Sequence, residues 1–325
     1  MSELCDRKHA YAVCNGSAAL ELAVKAIGVG PGDEVIMPTF TIISCALAVV
    51  KAGATPVYVD ADPLTWNMRV EDIEPLITER TKAIMAVHIY GLTVDLDPLI
   101  EIARKYNLKV IEDAAEVIGQ TYKGKPCGSF GDISTLSFYP NKHITTGEGG
   151  MVLVNDDHLG EKCKSLRNLC FGKKDRFYHE DIGWNFRMSN LQAAVGVAQL
   201  ERIFLTIQKK KEIGEVYQAA LSNQGNFYLP LKSTSYCDNI YWVFGIVSKD
   251  NDKDAKWWMR ELAQKGIGTR PFFYPMHKQP CLESRNFQRP TLPNAEKLAT
   301  SGFYLPSGIT ITEGQIEKIV SLIDS

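Results

Sequence analysis

A single lysine, Lys142, stands in "SFYPNKHITTGEGG", a run of small and turn-forming residues after an apolar stretch. A lysine in such a loop is by default solvated and inert. It gains chemistry where its surroundings leave the amine partly deprotonated, because it can then form a Schiff base with a carbonyl. Two other stretches bear on that choice. In "VCNGSAAL" a strand-like run ends at Cys14, Asn15-Gly16-Ser17 makes a turn, and a helix begins. The free N–H groups and dipole at a helix start suit a phosphate; Gly16 permits close approach and Ser17 adds a hydroxyl. The same residues also read as a plain helix cap. In "KVIEDAAE", Glu112 and Asp113 fall at the carboxyl end of an apolar run, where open α/β sheets hold ligands. A carboxylate there needs a partner. A protonated ring nitrogen would be one; N-capping of a helix by Asp113 is the alternative.

The elements that must position these residues alternate. "AYAVC", "EVIMP", "TPVYVD", "KAIMAVHIY", "KVIED", "ISTLSF" and "GMVLVN" read as strands. Between the first five lie the amphipathic segments "SAALELAVKAIGV", "IISCALAVVKAG", "EDIEPLITE" and "LDPLIEIARKYN". This repetition predicts a mostly parallel sheet with helices on both faces, an α/β architecture. "GVGPGD", residues 28–33, resembles a dinucleotide fingerprint, but it follows a helix and leads into a strand, the reverse of the required order. It reads as a helix stop and turn. From Ser189, a plausible N-cap, to about Asn223 the spacing predicts one long helix. Residues 1–222 are thus expected to form a large domain that includes this connecting helix, and residues 223–325 a small C-terminal α+β domain.

Bulk properties narrow the class. The chain has 325 residues, 45% hydrophobic and 23% charged, with a formal net charge of −2, so it has none of the basic excess of a nucleic-acid binder. The run Lys209 to Lys211 precedes Glu212 in a helical pattern and reads as a solvated face. The 8 cysteines include no CxxC pair and the 6 histidines no HExxH motif, which argues for reduced core thiols and against a metal site. "MSELCDRKHA" lacks a signal peptide's apolar stretch, and no run is long enough to span a bilayer. A cytoplasmic protein is expected.

A phosphate cup, an acid and an amine, in that order along the chain, are what pyridoxal 5'-phosphate requires. With "CNGSAAL", "PGDEVIMPTFT", "VHIYG", "IEDAAE", "KHITTGEGG" and "GWNFRMSN", the chain resembles the DegT/DnrJ/EryC1/StrS family of nucleotide-sugar aminotransferases from about residue 9 to its end. "RPFFYPMHKQP", and Glu116 where many relatives carry glutamine, resemble the branch that makes perosamine from GDP-4-keto-6-deoxymannose. The resemblance implies the type I pyridoxal-phosphate-dependent aminotransferase fold and a homodimer with shared active sites; the charge balance and hydropathy already argue against a nucleic-acid or membrane partner. It implies L-glutamate as amino donor, a nucleotide-linked 4-keto-6-deoxy sugar as acceptor, and pyridoxamine 5'-phosphate between the two half-reactions. By the same resemblance Lys142 is the Schiff-base lysine, Asp113 the partner of the pyridine nitrogen, and Glu116 a neighbour of the phenolic oxygen. Gly16, Ser17 and Ser137 hold the phosphate, and Asn185 reaches it from the other subunit. His88 lies beside the cofactor, and Arg270 and His277 face the sugar nucleotide. Ile42 stands where relatives stack an aromatic ring on the cofactor; Phe40 or plain dispersion would have to substitute. Relatives also carry some tens of residues before "HAYAV", so a smaller share of the dimer interface is expected. Two rivals share the fold: a pyridoxamine-dependent 3-dehydratase, with histidine in the lysine slot, to which His143 is adjacent, and a catalytically silent homologue with a sensing or assembly role. UDP- or dTDP-sugar 4-amination, or 3-amination, are the alternatives within the family.

Overall fold

The computed structural model describes residues 1–172, 175–222, 225–283, 287 and 290–324. Seven strands form the main sheet: β1 (His9–Val13), β2 (Glu34–Pro38), β3 (Thr55–Val59), β4 (Thr81–Val87), β5 (Lys109–Asp113), β6 (Ile133–Ser137) and β7 (Gly150–Val154). Their order is β1-β7-β6-β5-β4-β2-β3. β3, β2, β4, β5 and β6 run parallel; β7 is antiparallel to both its neighbours, β6 and β1. Alternation of side chains across the pleat divides the core in two. Val35, Met37, Met85 and Val87 join one cluster with α1 (Gly16–Ala26) and α2 (Ile43–Lys51). Ile36, Ile84 and Ala86 join the other, with Leu96, Leu99 and Ala103 of α3 (Leu96–Lys105). Strands buried on both faces explain the near-continuous apolar runs. Gly28 and Gly32, at φ 85° and 91°, make the turn between α1 and β2 that the glycine-rich decoy predicts. A further helix, α4 (Asp157–Leu166), was not among the sequence expectations; Asp156 caps it by accepting from the Leu159 N–H.

Two helical expectations are corrected. "EDIEPLITE" forms only short 3-10 turns, Val70–Asp72 and Glu74–Leu76. Pro75 supplies no N–H and breaks the ladder. The expected long helix divides into α5 (Asn190–Leu200) and α6 (Ile203–Leu221), with Arg202 between them outside helical geometry at φ −113° and ψ 10°. Ser189 does cap α5, in a capping box with Gln192. The break frees α6 to bury its own stripe. Ile203 and Ile207 enter the large core, and Ile213, Tyr217 and Leu221 enter a third cluster. The far end of the expected helix, Asn223, lies outside the described residues.

That third cluster lies under a second, antiparallel sheet, ordered β8-β9-β11-β10: β8 (Phe227–Tyr228), β9 (Phe244–Ser248), β10 (Arg270–Pro271) and β11 (Gly302–Leu305). Its helices are α7 (Ala255–Gln264), α8 (Pro293–Ser301) and α9 (Glu313–Asp324). We propose the end of α6 as the boundary between the two parts, near residue 222 as the sequence suggests. Phe272 ties them together. Its ring lies 4.9 Å from that of Tyr90 and 5.2 Å from that of Trp66. A Cβ on Gly245 or Gly302 would strike the Phe272 ring, so both glycines make room for it.

Candidate active site

Lys142 is not a solvated loop lysine. Its side chain is 10% exposed, and Nζ lies 3.4 Å from Glu116 Oε1. Nζ also sits 3.6 Å from the centre of the Trp242 ring, a close cation–π contact. Trp242 is held in turn: its Nε1–H donates to the Asn141 carbonyl at 2.7 Å. Sequence reading missed Trp242, because it comes from the second part of the chain, a hundred residues from its contact.

β5 presents Asp113 and Glu112 at its end, and the pleat separates them. Asp113 is buried, and burial raises its pKa, while the Ala115 N–H and nearby Lys142 oppose that rise. Glu116, in the turn that follows, is pushed up to about 7 by burial, against the pull of Lys142 and the Tyr90 N–H. That N–H donates to Oε2 at 2.9 Å. Tyr90 adopts φ 56°, unusual for a bulky residue, and Gly91 follows at φ 100°, where a Cβ would lie 2.6 Å from the Tyr241 nitrogen. "VHIYG" is thus a turn that aims a backbone N–H at Glu116. Glu112, the other carboxylate, accepts from the Gly128 and Phe130 N–H groups, Ser134 and His88. It is fully consumed within the protein. His88 accepts from the Val94 N–H at Nδ1 and so donates from Nε2 to Glu112, 3.2 Å away. Both its nitrogens are engaged, leaving its ring as an apolar wall of the cavity.

The cup is built from two helix starts. Asn15 caps α1, its side chain accepting from the Ala18 N–H at 2.8 Å. Ser17 Oγ meets Ser44 Oγ of α2 at 2.7 Å, so Ser44 joins the residues that sequence reading found. A Cβ on Gly16 would lie 2.8 Å from Ser137 Cβ; only glycine lets the start of α1 approach the end of β6.

Gly16, Ser17, Ile42, His88, Asp113, Glu116, Ser137 and Lys142 line one cavity of about 500 Å³. His143 is absent from that lining; it is buried, held at about 3 by burial, and faces an adjoining cavity of about 880 Å³. Arg270 also lines the larger cavity, with Arg202, Lys209 and Lys210, and its described lining includes no carboxylate. Two expectations need correction. His277 lines neither cavity: it bridges Thr39 Oγ1, at 2.7 Å, and Glu296 Oε1, at 3.0 Å, as a buried tie between the two parts. Phe40 cannot stand in for an aromatic at position 42, because it is fully buried among Tyr90, Phe272 and Phe273. Asn185 is exposed and lies outside the cavity of its own chain; its segment pairs beside β1, where the Cys14 N–H donates to the Phe186 carbonyl at 2.7 Å.

A buried carboxylate without an ion-pair partner among the described residues, an amine lining the same cavity and a cup of helix N-termini fit pyridoxal phosphate: ring nitrogen, aldehyde and phosphate respectively. The model of the DegT/DnrJ/EryC1/StrS aminotransferase family matches residues 1–324. A GDP-perosamine synthase of Caulobacter vibrioides is 42% identical over 328 residues, covering 99% of this chain and 87% of its own length. One of Escherichia coli O157:H7 is 42% identical over 317 residues, covering 98% and 85%. Among solved structures, the aminotransferase from Psychrobacter cryohalolentis superposes with a TM-score of 0.93 at 31% identity, covering 99% of this chain and 88% of that one.

Proposed function

The chain belongs to the DegT/DnrJ/EryC1/StrS aminotransferase family, whose members are pyridoxal-phosphate-dependent, and from that premise we propose that it moves the amino group of L-glutamate to the C4 ketone of GDP-4-keto-6-deoxymannose, forming GDP-perosamine. The observation that carries this reading is that the Lys142 amine and the buried Asp113 carboxylate line one cavity, in a chain 42% identical to GDP-perosamine synthases. Pyridoxal phosphate supplies, when bound, an aldehyde that captures an amine and a ring that takes up the electron pair left when a carbon loses its proton.

The protein's residues do the rest. Asp113, an anion in a dry site, keeps the ring nitrogen protonated; a nearby negative charge raises that nitrogen's pKa. Gly16, Ser17 and Ser137, with Ser44, hold the phosphate at the two helix starts. Lys142 would be the residue that holds the cofactor covalently, and its amine, when free, would serve as base and then acid for the proton that leaves the donor's α-carbon. The same amine would serve the sugar's C4 in the second half-reaction. Glu116 holds the amine on its track from one side and Trp242 from the other. The larger cavity, with Arg202, Lys209, Lys210 and Arg270 and no described carboxylate, suits a nucleoside diphosphate. Lys142 lines the cavity that holds Asp113 and His143 does not, which disfavours the dehydratase reading.

We further propose a cytoplasmic homodimer. α5 buries no side chain, and Leu191 on it is 83% exposed; Phe204, at the start of α6, is 68% exposed. A second copy covering this face would bring its Asn185 to the phosphate. The decisive test is mass spectrometry of products from GDP-, UDP- and dTDP-4-keto-6-deoxy sugars with L-glutamate. A 4-amino-4,6-dideoxy product from the GDP sugar supports the reading; turnover confined to UDP or dTDP sugars, or amination at C3, replaces it.

A further inference from the structure

Asp113 is held by donors from three separate parts of the chain. Oδ1 accepts from the Ala115 N–H at 3.1 Å and from Thr135 Oγ1 of β6 at 3.3 Å. Oδ2 accepts from the Cys45 thiol of α2 at 3.4 Å. A carboxylate oxygen offers about two acceptor directions. Oδ1 is therefore filled, and the one open direction lies on Oδ2, the oxygen shared with Cys45. The thiol has a single proton, so its other contact, Thr41 Oγ1 at 3.5 Å, must donate to the sulfur. Cys45 and Thr135 are themselves buried, Thr135 being 1% and Cys45 0% exposed, so water does not compete for these bonds.

We propose that Cys45 and Thr135 are positioning residues that keep Asp113 an anion and turn the free direction of Oδ2 toward the cofactor's ring nitrogen. The inference rests on the reading that Asp113 faces that nitrogen. Its physical content is a competition for one proton. In a dry site, a carboxylate stripped of donors takes the proton from the ring nitrogen, and the pair becomes neutral. Donors to the carboxylate favour its charged form, so the proton stays on the ring. Burial drives the thiol's pKa well up, so Cys45 serves as an uncharged donor and adds no second anion beside Asp113. A sulfur donor is weak, which leaves Oδ2 available to a stronger partner.

The test uses holoenzyme loaded with cofactor 15N-labelled at the ring nitrogen, whose NMR shift separates protonated from neutral pyridine. Cys45→Val and Cys45→Thr have similar volumes, and only the second donates. Thr135→Val and Thr135→Ser make the matching pair. The expected result is a shift toward the neutral position in both valine variants, with kcat lowered roughly five- to tenfold for the loss of one such bond. The threonine and serine variants keep the protonated signal and most of kcat, and KM for glutamate moves little throughout. A protonated signal and unchanged kcat in both valine variants overturn the proposal. Asp113→Asn separates the two levels. If its nitrogen signal matches wild type, the reading of Asp113 itself fails and the proposal with it. If Asp113→Asn moves the signal and the valine variants do not, only the proposal fails. Should a valine variant not fold, the other pair and an alanine substitution at the same position decide in the same way.

Discussion

Lys142 stands between a carboxylate and an aromatic face, 3.4 Å from Glu116 and 3.6 Å from the Trp242 ring centre. Lys142→Ala is expected to keep the fold, measured by circular dichroism, and to lower turnover roughly a thousandfold or more, because in the proposed mechanism the same amine both binds the cofactor and moves the proton. Turnover near wild type in that variant removes Lys142 from the reaction. Glu116 allows a pH prediction. Burial lifts it from its ordinary 4.5 to about 7, so it binds a proton more tightly folded than unfolded. The stability it contributes is whole below about pH 4.5 and is lost as pH rises through 7. Glu116→Gln removes this loss. The variant should gain on wild type between pH 5 and 8, by on the order of 3 kcal/mol for a fully buried group. Urea titrations of the cofactor-free proteins at both pH values would show it; a gap that does not widen with pH refutes the assigned protonation.

At the scale of elements, the site depends on how closely α1 and α2 approach the ends of β5 and β6. Gly16 is where that approach is tightest. Gly16→Ala drives a methyl group against Ser137, an overpacking that costs about 1–3 kcal/mol. The expected outcome is a lower Tm together with at least a tenfold rise in Kd for pyridoxal phosphate, since the displaced helix start is also the proposed phosphate cup. An unchanged Kd would mean that the cup lies elsewhere. His277 acts at this scale too. It joins α8, through Glu296, to Thr39 beyond β2, and so ties the two parts together.

For the whole molecule, α5 presents Leu191, Val195 and Val197 outward and buries none of its side chains. An amphipathic pattern could not have revealed this, because α5 carries Asn190, Gln192 and Gln199 as its only polar residues and so reads as mostly core. Leu191→Glu and Phe204→Glu are each expected to convert a dimer into monomers, read by analytical ultracentrifugation, and to cost activity if Asn185 serves the neighbouring site. Wild type sedimenting as an active monomer contradicts the proposal.

Residue order alone determined the parallel strands, since uninterrupted apolar runs between helical patterns have few other folds, and it marked Gly16, Asp113 and Lys142 as candidates, because each sits at or just past a strand end where a turn must follow. Spacing alone did not separate Glu112 from Asp113, and only the family resemblance chose Asp113; the pleat gives Asp113 to the cavity and Glu112 to His88 and the loop at Gly128. The Lys142–Trp242 contact, the break at Arg202 and the bridging of His277 were decided only by tertiary packing. The first and last join segments far apart along the chain, and the break lets Ile203 and Ile207 reach the large core; no local periodicity encodes which distant surface a side chain will meet.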